Sequence, residues 1–167
     1  AYTDKGTGSA PHDLAGDTVA LIDGTRAVAA TAGSSAHFRA ALSPLVAARR
    51  EKRRLRLRIV VAHIRRMARG FEVVVVEGAG GLLSPLGEDF DSRDLIRALD
   101  AEAIVLCPNQ LGAVNQVRLV LEALPAAAAR QARVVLVNPA QPDAASRTNL
   151  GLLKDFVDPN RILVLPW

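Results

Sequence analysis

Val73-Val74-Val75-Val76-Glu77-Gly78-Ala79-Gly80-Gly81 is the stretch that decides the fold. Successive β-branched side chains lose rotamer freedom in a helix and pack well on a pleated surface. The valines therefore read as a strand buried on both faces. A carboxylate and a glycine run end it. Upstream, Leu57, Val60, Val61, Ile64, Met67 and Ala68 fall on one side of a 3.6-residue helix, and Arg56, Arg58, Arg65, Arg66 and Arg69 largely take the other. Gly70 supplies the stop.

The pattern repeats downstream. Residues 92–99 read as a helix and 103–106 as a buried strand. Residues 115–124 carry a helical stripe of Val117, Val120, Leu121 and Leu124. Residues 134–137 are a third buried strand, 147–156 a weaker helix and 162–165 a fourth strand. Residues 126–129 are only a helix-tolerant alanine run. On the upstream side, Ser43 and Pro44 look like an N-cap and first helical residue, opening a short helix through Ala48. Residues 1–24 read as loop with a short helix near 17–21, and residues 25–42 have no firm period. Strands alternating with helices imply an α/β fold: three layers, a mostly parallel sheet with helices on both faces, in a single domain over residues 1–167.

Composition agrees. The chain has 167 residues, 50% hydrophobic and 4% aromatic, which suits one α/β core and excludes a disordered chain. The net charge is +4, with much of the basic excess in residues 49–58. A block beside a helical pattern reads as a solvated face. Without interleaved aromatics it implies neither a nucleic-acid nor a membrane partner. The lone Cys107 permits no disulfide within the chain and points to a reducing, cytoplasmic setting; within its apolar run it reads as a buried thiol. No stretch is long enough for a membrane span. His12, His37 and His63 share no metal-ligand spacing.

In an open parallel sheet, ligands bind at the carboxyl ends of the strands. Glu77 stands at such an end as a hard oxygen ligand suited to Mg²⁺, and the glycines after it let backbone N–H groups approach an anion. Pro108-Asn109-Gln110-Leu111-Gly112 follows the second strand, and Asn138-Pro139 the third. Asn138 reads either as a turn former or as a reader of a base. Asn115 reads either as a helix cap or as an anion ligand at a helix N-terminus. Asp17, taken alone, reads as a helix cap.

Together these motifs resemble the dethiobiotin synthetases. Residues 75–86, Val-Val-Glu-Gly-Ala-Gly-Gly-Leu-Leu-Ser-Pro-Leu, are similar to that family's signature of a metal-binding glutamate and glycine turn. Leu111-Gly112-Ala113-Val114-Asn115 is similar to its second signature. Thr7-Gly8, Gly16-Asp17, Ser43-Pro44, Asn138 and Leu165-Pro166-Trp167 follow in family order. The resemblance implies a P-loop NTPase-like α/β fold and a homodimer. It implies an ATP- and Mg²⁺-dependent cyclo-ligase of biotin biosynthesis, forming the ureido ring of dethiobiotin from 7,8-diaminopelargonic acid and CO₂. On it, Glu77 and Asp17 hold Mg²⁺, and Thr7 sits near the carbamate and phosphate. Gly78, Ala79, Gly80, Gly81 and Leu82 line the diamine. Gly112 and Asn115 reach the partner's substrate carboxylate, and Asn138 and Pro166 contact adenine.

The sequence departs from the family in two ways. Members begin with a strand and a loop G-x-x-x-x-G-K-[ST], and no glycine-rich loop here ends in Gly-Lys-Ser/Thr. The expectation is a sequence lacking the first βα unit and binding ATP weakly or not at all. In such folds the missing strand lies between the strand at 73–76 and that at 103–106, so both would lack backbone partners. The second departure is Thr3, which stands where members carry a substrate lysine. Lys5, on the same face of an extended chain, is the expected substitute. The alternative function is a non-catalytic binding or regulatory subunit of the same family, lacking the phosphate loop.

Overall fold

The computed structural model describes the backbone of residues 18–23 and 26–31, and residues 42–167 in full. The chain divides into two compact units, residues 1–80 with 85–88 and residues 81–84 with 89–167.

The first unit contains β1 (Thr18–Asp23), β2 (Arg26–Thr31), α1 (Pro44–Arg50), α2 (Leu57–Met67) and β3 (Val73–Val76). Its sheet runs β2-β1-β3, with β1 antiparallel to both neighbours. The helix expected near residues 17–21 is therefore a strand. Its backbone is paired from Thr18↔Thr31 to Asp23↔Arg26 on one side and from Val19↔Val76 to Ile22↔Val73 on the other. That double ladder satisfies backbone groups which a single isolated helical turn would leave open. Among the described residues β3 has a neighbour on one side only, and its side chains alternate between exposed and half-buried, Val73 being 49% and Val75 38% exposed. Among the described residues the valine strand is thus an edge, and neither of its faces is fully buried.

α1 starts at Pro44 as the sequence implies, and runs on to Arg50. Ser43 occupies the cap position but makes no side-chain cap bond. α2 buries Val61 and Ile64, keeps Leu57, Val60, Met67 and Ala68 half-buried, and leaves Arg56, Arg58, Arg65, Arg66 and Arg69 exposed. Gly70 follows it at φ +87°, in the left-handed region. The basic block is a solvated face: Arg49 forms a two-pronged pair with Glu88 at 3.2 and 3.1 Å, and Arg53 meets Glu51 at 3.3 Å.

The second unit runs α3 (Ser92–Leu99), β4 (Ile104–Pro108), α4 (Ala113–Ala123), α5 (Ala126–Gln131), β5 (Arg133–Val137), α6 (Ala144–Leu153), a 3₁₀ turn (Pro159–Arg161) and β6 (Ile162–Leu165). Its sheet is parallel, in the order β4-β5-β6. α3 opens on a capping box in which Asp91 accepts from the N–H groups of Arg93 and Asp94, while Asp94 accepts from the Asp91 N–H. The alanine run forms α5, because Pro125 starts it and nothing within residues 126–131 opposes helix.

Within this sheet β5, the middle strand, is the one buried on both faces: Val134, Val135 and Leu136 are 0%, 6% and 0% exposed. One face of the sheet, carrying Cys107, Val134 and Leu136, packs on Ala113, Val117, Leu153 and Val157. On the other face, Ile104 and Leu106 of β4 and Leu163 and Leu165 of β6 stay about half exposed or more. The outer strands thus depart from the fully buried reading, because among the described residues each has a neighbour on one side only. β4, like β3, is an edge strand of its own sheet among the described residues.

Candidate functional site

The carboxyl ends of β4, β5 and β6 bring together residues from well-separated parts of the sequence. The ladder continues one residue beyond the strands: the Asn109 N–H donates to Val137 O at 2.8 Å, and the Asn138 N–H donates to Leu165 O at 2.9 Å. That register sets Asn109 beside Asn138. Asn109 is 2% exposed, yet its amide is fully used. Its Nδ2 donates to Asn138 Oδ1 and to Ser146 O, both at 2.8 Å, and its Oδ1 accepts from Asn149 Nδ2 at 2.9 Å. Asn149 also donates to Gln110 O at 2.9 Å. Ser146 and Asn149 come from α6, whose first turn is tied down by Asp143. The Ser146 N–H donates to that carboxyl at 2.7 Å and holds it below the usual carboxylate range. Asn138 is half-buried, and Pro166 follows β6 in the open.

The loop after β4 positions the second motif. Gly112, at φ +92°, is the cap residue of α4, and its carbonyl accepts from the Gln116 N–H at 3.0 Å. Asn115 is exposed in the first turn of α4, so the cap position belongs to Gly112 and not to Asn115. Beneath this loop lies Cys107, 4% exposed. Burial raises its thiol pKa, and its Sγ faces Pro108 O, Ala113 O and Gln116 Oε1.

In the first unit, Glu77 directly follows β3. It is exposed and, among the described residues, makes no hydrogen bond or ion pair. Gly78 is exposed, Ala79 half-buried, and Gly80 sits at φ +81°. In the second unit, the Gly81 N–H donates to Ser84 Oγ at 3.0 Å and the Ser84 N–H returns a bond to Gly81 O at 2.9 Å. The Gly81 N–H is therefore engaged within its own turn. Leu82 packs beside the cluster of Ala103, Leu124 and Ala132. Among the described residues no group of three or more His, Cys, Asp or Glu side chains could hold a metal ion. A single carboxylate such as Glu77, without a partner among the described residues, nonetheless fits Mg²⁺, which commonly takes one or two carboxylates and completes its shell with water and phosphate oxygens.

Lys5, Thr7 and Asp17 lie outside the described residues. Sequence reasoning picked out Asn138 but gave no role to Asn149 and counted Asn109 only as part of a strand-end loop. The available signal was an amide directly after the apolar run 103–107, where burial forces it to find partners. Among the described residues no helix is long and apolar enough to cross a membrane.

The strand-end loops, parallel sheet and flanking helices define an α/β protein of P-loop NTPase-like type. The profile of a family described as an AAA domain matches residues 26–167, and the chain belongs to that family. Within it, the chain is dethiobiotin synthetase-like. It is 41% identical to the ATP-dependent dethiobiotin synthetase BioD of Rhodococcus jostii (strain RHA1) over 143 residues, 84% of this chain and 59% of that protein. The protein of the same name from Anaeromyxobacter sp. (strain Fw109-5) is 45% identical over 87 residues, 52% of this chain and 39% of that one. A different likeness is 72% identity over 43 residues to the D-(-)-3-hydroxybutyrate oligomer hydrolase of Paracidovorax citrulli (strain AAC00-1), covering 26% of this chain and 6% of the hydrolase. The chain spans at most 59% of the length of these relatives. Lys5, Thr7 and Asp17 precede residue 26, where the family match begins.

Proposed function

We propose that this chain acts as an ATP- and Mg²⁺-dependent cyclo-ligase that closes the ureido ring of dethiobiotin. Its substrates on this reading are 7,8-diaminopelargonic acid and CO₂, its setting is the cytoplasm, and its working form is a homodimer. The observation that carries the reading is Glu77: an exposed carboxylate with no partner among the described residues, at the end of β3 and followed by glycine, in a chain 41% identical to a dethiobiotin synthetase.

The chemistry needs few reactive protein groups. One amine of the diamine adds to CO₂ to give a carbamate, and ATP phosphorylates the carbamate oxygen. The second amine then attacks the carbonyl carbon, expelling phosphate and closing the ring. Phosphoryl transfer of this kind depends on positioning and charge neutralisation. Mg²⁺, when bound, supplies the positive charge that offsets the phosphate oxygens. Glu77 would hold the ion through a carboxylate oxygen. Gly78, Ala79 and Gly80 lack bulk that would keep the diamine from the backbone, and Leu82 would meet its alkyl chain. Gly112 and Asn115 would serve the substrate carboxylate across the dimer, and Asn138 and Pro166 the adenine.

The test is dethiobiotin formation from the diamine, bicarbonate and MgATP, all at millimolar concentration. We expect Mg²⁺-dependent product and a loss of about 100-fold in turnover for Glu77→Gln, equivalent to about 2.7 kcal/mol of barrier. Nucleotide binding without product from the unsubstituted chain would replace the ligase with a binding subunit. Full turnover in Glu77→Gln would remove the assigned metal ligand.

A further inference from the structure

The carboxyl end of the parallel sheet contains an amide chain whose hydrogen-bonding sense is set by two backbone carbonyls. A carbonyl oxygen only accepts, so the atom of Asn149 facing Gln110 O is its NH₂ group, as is the atom of Asn109 facing Ser146 O. The Asn109 oxygen is then left to accept from Asn149, which it does at 2.9 Å. The second N–H of Asn109 points at Asn138, and the atom it meets at 2.8 Å must be an acceptor, Oδ1. Asn138 Nδ2 is thereby turned away from the relay and makes no hydrogen bond among the described residues. Asn109 and Asn149 are 2% and 8% exposed, so reversing either amide would bury N–H against N–H or oxygen against oxygen.

We propose that Asn109, clamped by Ser146 and Asn149, is a positioning residue that locks the Asn138 amide in one sense and thereby sets which base the nucleotide site accepts. The inference rests on the reading that Asn138 faces the base. Locked in this way, Asn138 offers an N–H donor from Nδ2 and the remaining lone pair of Oδ1 as an acceptor. A purine edge with a ring-nitrogen acceptor beside an amino group satisfies both at once, as the N7 and 6-amino groups of adenine do. The guanine edge places a carbonyl oxygen against Oδ1, acceptor against acceptor. A freely rotating Asn138 could swing its NH₂ between that oxygen and N7, keep its own oxygen clear of both acceptors, and lose the distinction; the buried relay forbids the rotation. Discrimination then depends also on residues behind Asn138 that never touch the nucleotide.

The experiment is a titration of the full chain with MgATP and MgGTP, followed by NMR of the asparagine side-chain NH₂ groups after selective ¹⁵N labelling. In the unsubstituted chain we expect the Asn138 signal to shift with ATP and the affinity for ATP to exceed that for GTP by about tenfold, about 1.4 kcal/mol. Asn109→Ala should bring that ratio below about twofold, with the Asn138 NH₂ signal still shifting on addition of ATP. Asn138→Asp keeps an acceptor for Asn109 but removes the outward donor. It should abolish the preference without lowering the melting temperature, and it serves as the test if Asn109→Ala fails to fold. An ATP-induced Asn138 shift with an unchanged ratio in Asn109→Ala overturns the lock alone; an unchanged ratio in Asn138→Asp overturns the base-reading role and the lock together. Absence of any Asn138 shift with either nucleotide overturns the base-reading role and the lock together.

Discussion

At Gly112 the backbone sits at φ +92°, and a Cβ built there would meet no atom within 4 Å. The constraint is therefore conformational and not steric. Gly112→Ala should cost about 1–2 kcal/mol through the left-handed backbone alone, read as a lowered urea midpoint with an unchanged slope. Cys107 provides the contrasting case. Burial disfavours its thiolate, so a thiol-reactive dye should leave the folded chain unmodified at neutral pH and label it fully in denaturant. Labelling of the native chain at the rate of free cysteine would contradict the burial. The inert thiol was legible in the sequence, because a lone cysteine inside an apolar strand has few other readings. Asn109 was not. Its environment comes from Ser146 and Asn149, brought close only when α6 packs against the loop after β4, and no local pattern encodes that approach.

Among the elements, the helices of the second unit follow their sequence signals closely, and α3 shows why. Asp91 is partly buried, which pushes its carboxyl pKa up. The bond from Arg93 and the N–H groups of Asp94 and Arg93 outweigh that push, and the pKa lies below its usual value. A folded-state pKa below the unfolded one gives stability that is present above the ordinary carboxylate range and lost as pH falls through the folded value. Melting temperature should accordingly drop on acidification below the carboxylate range. Asp91→Asn should remove this part of the drop, and Asp91→Ala should cost about 1 kcal/mol at neutral pH. The strands at the start of the chain were harder to read. β2 has three alanines in its six residues, which signal neither strand nor alternation, while β1, with Val19, Leu21 and Ile22, is too short for its apolar residues to tell a strand from a helical turn. β3 and β4 were legible as strands. Their exposure was not, because the valine and isoleucine runs that mark a central strand also occur at an edge.

At the scale of the molecule, the best-buried core among the described residues lies where β5 meets α4 and α6. Leu136, Val134, Val117 and Leu153 are the largest fully buried side chains among the described residues. Leu136→Ala should destabilise the second unit by about 2–5 kcal/mol, as a buried leucine truncation does. A change below 1 kcal/mol in its denaturation curve would contradict the assigned core. The α/β class, the parallel sheet and the strand-end location of Asn138 were all legible from periodicity, since apolar strands alternating with amphipathic helices admit few other arrangements. The metal-side roles rest on chemistry that periodicity does not encode, and Glu77 concentrates that question in one side chain. The most direct measurement replaces Mg²⁺ by paramagnetic Mn²⁺ in the presence of ATP and follows the backbone amide signals of residues 77–80. The account predicts selective broadening at Glu77 and Gly78, lost in Glu77→Gln. Broadening elsewhere with these signals untouched, or broadening that survives the substitution, would contradict it.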